Sequence, residues 1–179
     1  MRMAGRTRVF IACSLDGFIA GEGDDLSFLP QPDPAHGDAG YGEFMRTVGC
    51  ILMGRRTYDV VSGFPGPWPY GATPVLVATH RPLLTSTASV QAVAGEVAAL
   101  LAQARAQAGD RDVYLDGGQL IRAALDAGLV DELTVTLVPV LLGRGIPLWT
   151  GVQARQPLRW MSSTPLQGGM VQLVYVPCA

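Results

Sequence analysis

A chain of 179 residues, 49% of them apolar and 16% charged, is long enough to bury a full core as one domain (1–179) and too apolar to be disordered. Its net charge of −2 argues against a nucleic-acid surface. All 13 basic residues are arginine, which excludes a lysine Schiff base, a Walker-type phosphate lysine and a lysine general base.

Met1 to Arg8 is basic, but no apolar run of signal type follows it, and no later run reaches membrane-spanning length. The expectation is a cytoplasmic protein with no membrane contact. Arg8–Cys13 is a short apolar run that predicts a buried strand. Asp16-Gly17 is a turn signal, and Phe18-Ile19-Ala20 resumes extended apolar character. Asp16 has two readings: a turn-former, or a carboxylate at the mouth of a site beyond the strand's carboxyl end. Residues 21–42 are rich in Gly, Pro and Asp around an apolar island at Leu26–Leu29, the composition of a lid or binding loop. His36 within it reads as solvated. Tyr41, Phe44, Met45 and Val48 recur at helical spacing.

Cys50-Ile51-Leu52-Met53 predicts a second buried strand, ended by Gly54. Arg55, Arg56 and Thr57 then open a helix, where unpaired backbone N–H groups and the helix dipole already favour an anion. Two arginines are unfavourable in a first turn, so something negative should compensate them. A phosphate and an ordinary surface arginine pair stand as equal readings. The helix stops near Ser62-Gly63, and Phe64–Gly71, with its prolines and glycines, is a stiff loop carrying Phe64, Trp68 and Tyr70.

Pro74–Ala78 is a third buried strand, followed by Thr79-His80-Arg81, a hydroxyl and a cation just past its carboxyl end. Glu96–Ala108 has helical spacing with Gly109 as its stop. Val113-Tyr114-Leu115 is a strand closed by Asp116-Gly117-Gly118-Gln119, after which Leu120, Ile121, Ala124 and Leu125 mark a helix. Three strand ends thus suit phosphate in a βα-alternating chain, and ligands of open α/β sheets collect at that edge. Leu133–Leu142 reads as one long strand broken at Pro139. Residues 157–164 and 170–176, split by Gly168-Gly169, predict an antiparallel hairpin. Three cysteines without CxxC spacing give neither a disulfide framework nor a metal site; Cys13 and Cys50 read as core, Cys178 as an exposed thiol.

Five segments in order carry a resemblance: Ser14–Ala20, Ile51–Tyr58, Asp116–Leu120, Leu129–Leu133 and Pro139–Trp149. The chain resembles the dihydrofolate reductase superfamily. Within it, the chain is most similar to stand-alone proteins like the C-terminal reductase domain of the bifunctional riboflavin-biosynthesis deaminase-reductase. The likeness runs from about Arg8 to Val176. It implies an α/β fold of three layers: a mixed, mostly parallel central sheet with flanking helices and a C-terminal antiparallel hairpin.

The resemblance also implies NADPH lying across the carboxyl ends of the strands. Gly54, Arg55, Arg56 and Thr57 would hold its pyrophosphate and 2′-phosphate, and Thr79, His80 and Arg81 its adenosine end. Gly117 and Gly118 would support the nicotinamide side, with Gln119 and Leu120 opening the helix there, and Ala12 and Ile19 would bracket the nicotinamide. NADH lacks the 2′-phosphate and no acid is well placed to accept its free ribose hydroxyls, so NADPH should bind more tightly than NADH. A small flat heterocyclic or carbonyl substrate would sit between the 14–30 and 64–70 loops, with Phe28, Tyr41 and Trp68 as contacts and Asp16 near the transferred proton. The acid that dihydrofolate reductases carry at the start of the helix before the Met-Gly-Arg strand has no match near Gly40-Tyr41. Competing readings are an NADPH-binding protein without turnover and a true pterin or aminouracil reductase. Riboflavin-type reductase domains commonly pair, so a homodimer using Leu137–Trp149 or the hairpin is expected.

Overall fold

The computed structural model describes residues 5–30 and 37–178, and His36 lies outside them. The described elements run β1 (Thr7–Ser14), β2 (Phe18–Ala20), α1 (Tyr41–Thr47), β3 (Val48–Gly54), α2 (Arg55–Ser62), β4 (Val75–Ala78), β5 (Val90–Val93) and α3 (Val97–Ala108). Then come β6 (Asp112–Asp116), α4 (Gly118–Asp126), β7 (Glu132–Val138), β8 (Ile146–Pro147), β9 (Leu158–Pro165) and β10 (Val171–Pro177).

Eight strands form one sheet in the order β5-β4-β3-β6-β1-β7-β10-β9. The first six are mutually parallel, while β10 runs antiparallel to both β7 and β9. The continuous apolar run of β3 follows from its place inside this sheet, because a parallel strand covered on both faces has no solvent side. Side chains alternate between the faces along each strand. Cys50, Leu52, Val113 and Leu115 pack with α3 and α4, whereas Ile51, Met53 and Tyr114 pack with Phe44 of α1 and Tyr58 of α2. These are the three layers that the resemblance implied. At the amino end of the strands, Arg8 donates to Glu132 and Asp112 and stacks 5.0 Å from the Phe44 ring, tying β1, β6, β7 and α1 together. The opposite edge is left to the site.

Three features differ from the sequence reading. The strand expected to run to Leu142 ends at Val138, because Pro139 has no N–H for the ladder. The segment beyond it is bound to the β1–β2 turn instead: Leu15 N–H donates to Val140 O, and the Asp16 carboxylate accepts from the amides of Leu142 and Gly143. β5 had no signal, since Gln91 and Ala92 are exposed and the strand alternates only weakly. β2 and β8 pair as a separate two-stranded sheet, which brings Ile146-Pro147 beside Ile19.

Candidate functional site

A cleft of about 860 Å³ opens along the carboxyl ends of β1, β3, β4 and β6. Its floor is made where two strand-to-helix turns touch. Gly117 has φ +102, and a Cβ there would lie 2.9 Å from Thr57 Oγ1 and 3.4 Å from Gly54 N. Only glycine permits both the backbone angle and this approach. The starts of α2 and α4 therefore meet at one place, each presenting first-turn N–H groups with no partner inside its helix. Gly118 is as crowded, since a Cβ would lie 3.2 Å from Pro147 O and 3.3 Å from Ile19 Cδ1.

Arg55, Arg56, Arg81 and Arg122 line the cleft, and acids or carbonyls hold each one. Arg55 Nε donates to Asp59 at 2.8 Å, one helical turn on, and its NH1 donates to Pro82 O at 2.9 Å. Arg81 shares the same Asp59 carboxylate at 3.5 Å. Arg56 pairs with Asp24 across the cleft mouth. Arg122 donates to the carbonyls of Pro147 and Leu148 at 2.8 and 3.1 Å. Asp59 and Asp24 are thus the compensating charges that the arginine pair required. Glu96, an acid the sequence reading did not place here, also lines the cleft at the start of α3.

Asp116 ends β6 and faces the cleft. Burial pushes its carboxyl up to about 6, although the Gly117 amide (2.8 Å) and the Tyr114 hydroxyl (3.3 Å) bond the carboxylate and oppose the rise. Tyr114 also lies 3.0 Å from Phe10 O as a donor, and its one proton cannot serve both acceptors. A protonated Asp116 can resolve this by donating to the Tyr114 oxygen. Nearby, Tyr41 is pushed up to about 12 by burial and by the Asp116 charge, so its phenol stays protonated.

Of the residues expected at the cofactor, Ala12, Ile19, Gly54, Arg55, Arg56, Thr57, Arg81, Gly117, Gly118, Gln119 and Leu120 line this one cleft. Thr79 and His80 do not: the Thr79 hydroxyl accepts from the Arg81 amide in a local turn, and His80 is exposed. Asp16 also lies off the cleft. Its carboxylate is bonded to the Ser14 hydroxyl and to the amides of Gly143 and Leu142, which hold it below the usual carboxylate range. That geometry is the turn-former reading. Among the expected substrate contacts, Tyr41 and Trp68 pack on the α1–α2 face of the core and Phe28 is half-buried, all three outside the cleft lining. Leu26, Leu29 and Phe64 line it from the same two loops. Asp116 was missed as a site residue. Its signal was a carboxylate closing an otherwise apolar strand immediately before Gly-Gly.

The family model described as the RibD C-terminal domain matches residues 7–172. The uncharacterized protein YwjB of Bacillus subtilis (strain 168) is 32% identical over 174 residues, covering 97% of this chain and 99% of YwjB. A crystal structure from Shewanella sp. PV-4, of a protein provisionally named for riboflavin biosynthesis, matches with a TM-score of 0.87. It is 32% identical over 97% of this chain and 99% of that one. Dihydrofolate reductase from Enterococcus faecalis, complexed with NADP(H) and RAB-propyl, shares the fold at a TM-score of 0.68 and 16% identity over the whole of both chains.

Proposed function

This chain belongs to the RibD C-terminal domain family, and from that premise we propose that it is an NADPH-dependent reductase of small, flat heterocyclic or carbonyl substrates. One observation carries the reading: the turns at Gly54–Thr57 and Gly117-Gly118 abut at the foot of a single cleft with Arg55, Arg56 and Arg81 on its wall. Two helix starts and three guanidinium groups suit a pyrophosphate and a 2′-phosphate. The tight floor at Gly117 and Gly118 lets backbone rather than side chain face the cofactor. The dihydrofolate reductase of the same fold was solved with NADP(H), which supports this assignment. NADPH bound there would supply a hydride.

The chain's own work is to hold the two partners in line and to manage one proton. Ile19 and Ala12 supply apolar surface beside Gly118 and β1. Asp116, with its carboxyl near 6, is the group at the cleft that can hold a proton close to neutral pH and release it to a substrate oxygen or nitrogen. Activity that needs the protonated form falls as pH rises through about 6. Following loss of 340 nm absorbance across pterin, aminopyrimidine, flavin and quinone panels tests the reading. Turnover with one class supports it, and NADPH binding with a blank panel leaves a binding protein without turnover.

We further propose a homodimer formed through the hairpin. All eight residues of β9 are exposed, including Trp160 at 58% and Met161 at 48%, at the edge of the sheet. An unpaired edge strand with large apolar side chains is a surface that a second sheet covers well. Of the Leu137–Trp149 stretch, Val138 and Leu148 are buried and only Leu141 and Trp149 are large exposed apolar residues, whereas β9 is exposed throughout, so the hairpin is the better surface. Light scattering near twice 18.9 kDa supports the pairing; the monomer mass at micromolar concentration removes it.

A further inference from the structure

Tyr114 and Asp116 stand two residues apart on β6, so their side chains leave the same face of the sheet. The Tyr114 ring is buried edge-on against Phe44 at 5.0 Å and Tyr41 at 6.5 Å, which leaves its hydroxyl proton as the part free to turn. That hydroxyl lies 3.0 Å from Phe10 O on β1 and 3.3 Å from Asp116 Oδ2. Bonds of this type are best near about 2.7–2.8 Å, so the shorter contact, to Phe10 O, takes the proton. The other carboxyl oxygen, Oδ1, accepts from the Gly117 amide at 2.8 Å. A neutral Asp116 therefore carries its proton on Oδ2, beside the Tyr114 oxygen. Two further phenols lie near enough to feel the Asp116 charge, Tyr41 of α1 and Tyr70 of the 64–71 loop; they bond each other, and burial keeps both protonated. Among the described residues no guanidinium group pairs with Asp116, and those lining the cleft are held by Asp59, Asp24 or backbone carbonyls.

We propose that Tyr114 is a positioning residue for Asp116: its hydroxyl donates to Phe10 O and turns its oxygen lone pairs toward Asp116 Oδ2, so that the acid keeps its proton there. A lone pair facing a carboxylate repels it, whereas the same lone pair accepts the proton of the neutral acid. Acting as an acceptor, Tyr114 adds to the rise that burial causes; acting as a donor to the carboxylate, it would oppose that rise. The contact is long at 3.3 Å, so the proton is kept without being tightly bound, and an acceptor entering the cleft competes with a weak partner. The use of this proton in turnover rests on the reductase reading; its place on Oδ2 rests on the fold.

The test is an NMR pH titration of protein labelled with carbon-13 at the aspartate γ-carbons, the Asp116 signal being the one lost in Asp116→Asn. Tyr114→Phe keeps the ring against Phe44 and removes only the hydroxyl. Its Asp116 midpoint should fall by about half a unit to one unit, the worth of one neutral hydrogen bond. Tyr41→Phe, which removes a phenol near Asp116 that is bonded to Tyr70 instead, should shift the midpoint less. In the unsubstituted protein the Phe10 carbonyl carbon should not titrate at the Asp116 midpoint, because the Tyr114 hydroxyl stays on that carbonyl. A midpoint that rises or stays in place in Tyr114→Phe, an equal shift in Tyr41→Phe, or a Phe10 carbonyl that titrates with Asp116 overturns the inference. With a substrate from the reductase panel, the alkaline limb of the pH profile should move down with the midpoint. A blank panel counts against the reductase reading alone, since the titration needs neither cofactor nor substrate.

Discussion

Replacing Asp116 by Asn should make the protein more stable at pH 8 and leave it unchanged near pH 4. Burial raises the folded-state carboxyl from an ordinary 3.8 to about 6. A folded pKa above the unfolded one means the folded state binds more protons between those values, so stability falls as pH rises through that window. Stability contributed by the protonated group is complete below 3.8 and lost above about 6. At 1.36 kcal/mol per unit, the difference is about 3 kcal/mol, an upper figure because Asp116 retains some solvent contact. Asn keeps an acceptor for the Gly117 amide and gains an N–H₂ donor for the Tyr114 oxygen, which already donates to Phe10 O. The variant should therefore gain about 1–3 kcal/mol at pH 8, or about 2–12 °C in melting temperature for a chain of this size. Thermal melts of both proteins from pH 4 to 8 measure it. The pairwise difference cancels the other carboxylates, such as Asp16 and Asp38, whose lowered values act at more acid pH. A difference that does not change with pH, or a variant less stable at pH 8, refutes the assignment of a buried, protonatable carboxyl.

Arg55→Ala should weaken NADPH by about tenfold and hardly change NADH, because a charge-assisted bond to the 2′-phosphate contributes roughly 1.5–3 kcal/mol and Asp59 already engages this guanidinium. Calorimetric titration with both cofactors checks it, and equal losses would place Arg55 at the pyrophosphate instead. With a thiol reagent, native protein should release one equivalent quickly, from exposed Cys178. Burial raises Cys13 to about 11 and Cys50 to about 12, so these two should react only on unfolding, and three fast equivalents would contradict their burial.

Much of this molecule was legible in its sequence, and the reason is local. Strands covered on both faces need unbroken apolar runs, so β3, β4 and the middle of β6 show themselves without a neighbour in view. The glycines at the strand-to-helix turns, the helical spacing of Leu100, Leu101 and Ala104, and the hairpin around Gly168-Gly169 are likewise written within a few residues. From these the α/β fold followed, and the resemblance they carry named eleven of the residues that line the cleft. What depends on distant partners did not. Asp16 just past β1 and Asp116 at the end of β6 each precede a glycine and look alike in sequence. The 139–143 segment gives Asp16 two amide donors in solvent beside the local Ser14 hydroxyl, whereas the α1–α2 face and Tyr114 enclose Asp116. The same holds for the arginines. Their charge is local, but Asp24 meets Arg56 across 32 residues, and Asp59 joins Arg55 to Arg81 only because the sheet sets β3 beside β4. Sequence determines which groups a strand end offers; the fold decides which of them are buried, paired or turned toward the cleft, since desolvation and ion pairing depend on neighbours that the chain brings from far away.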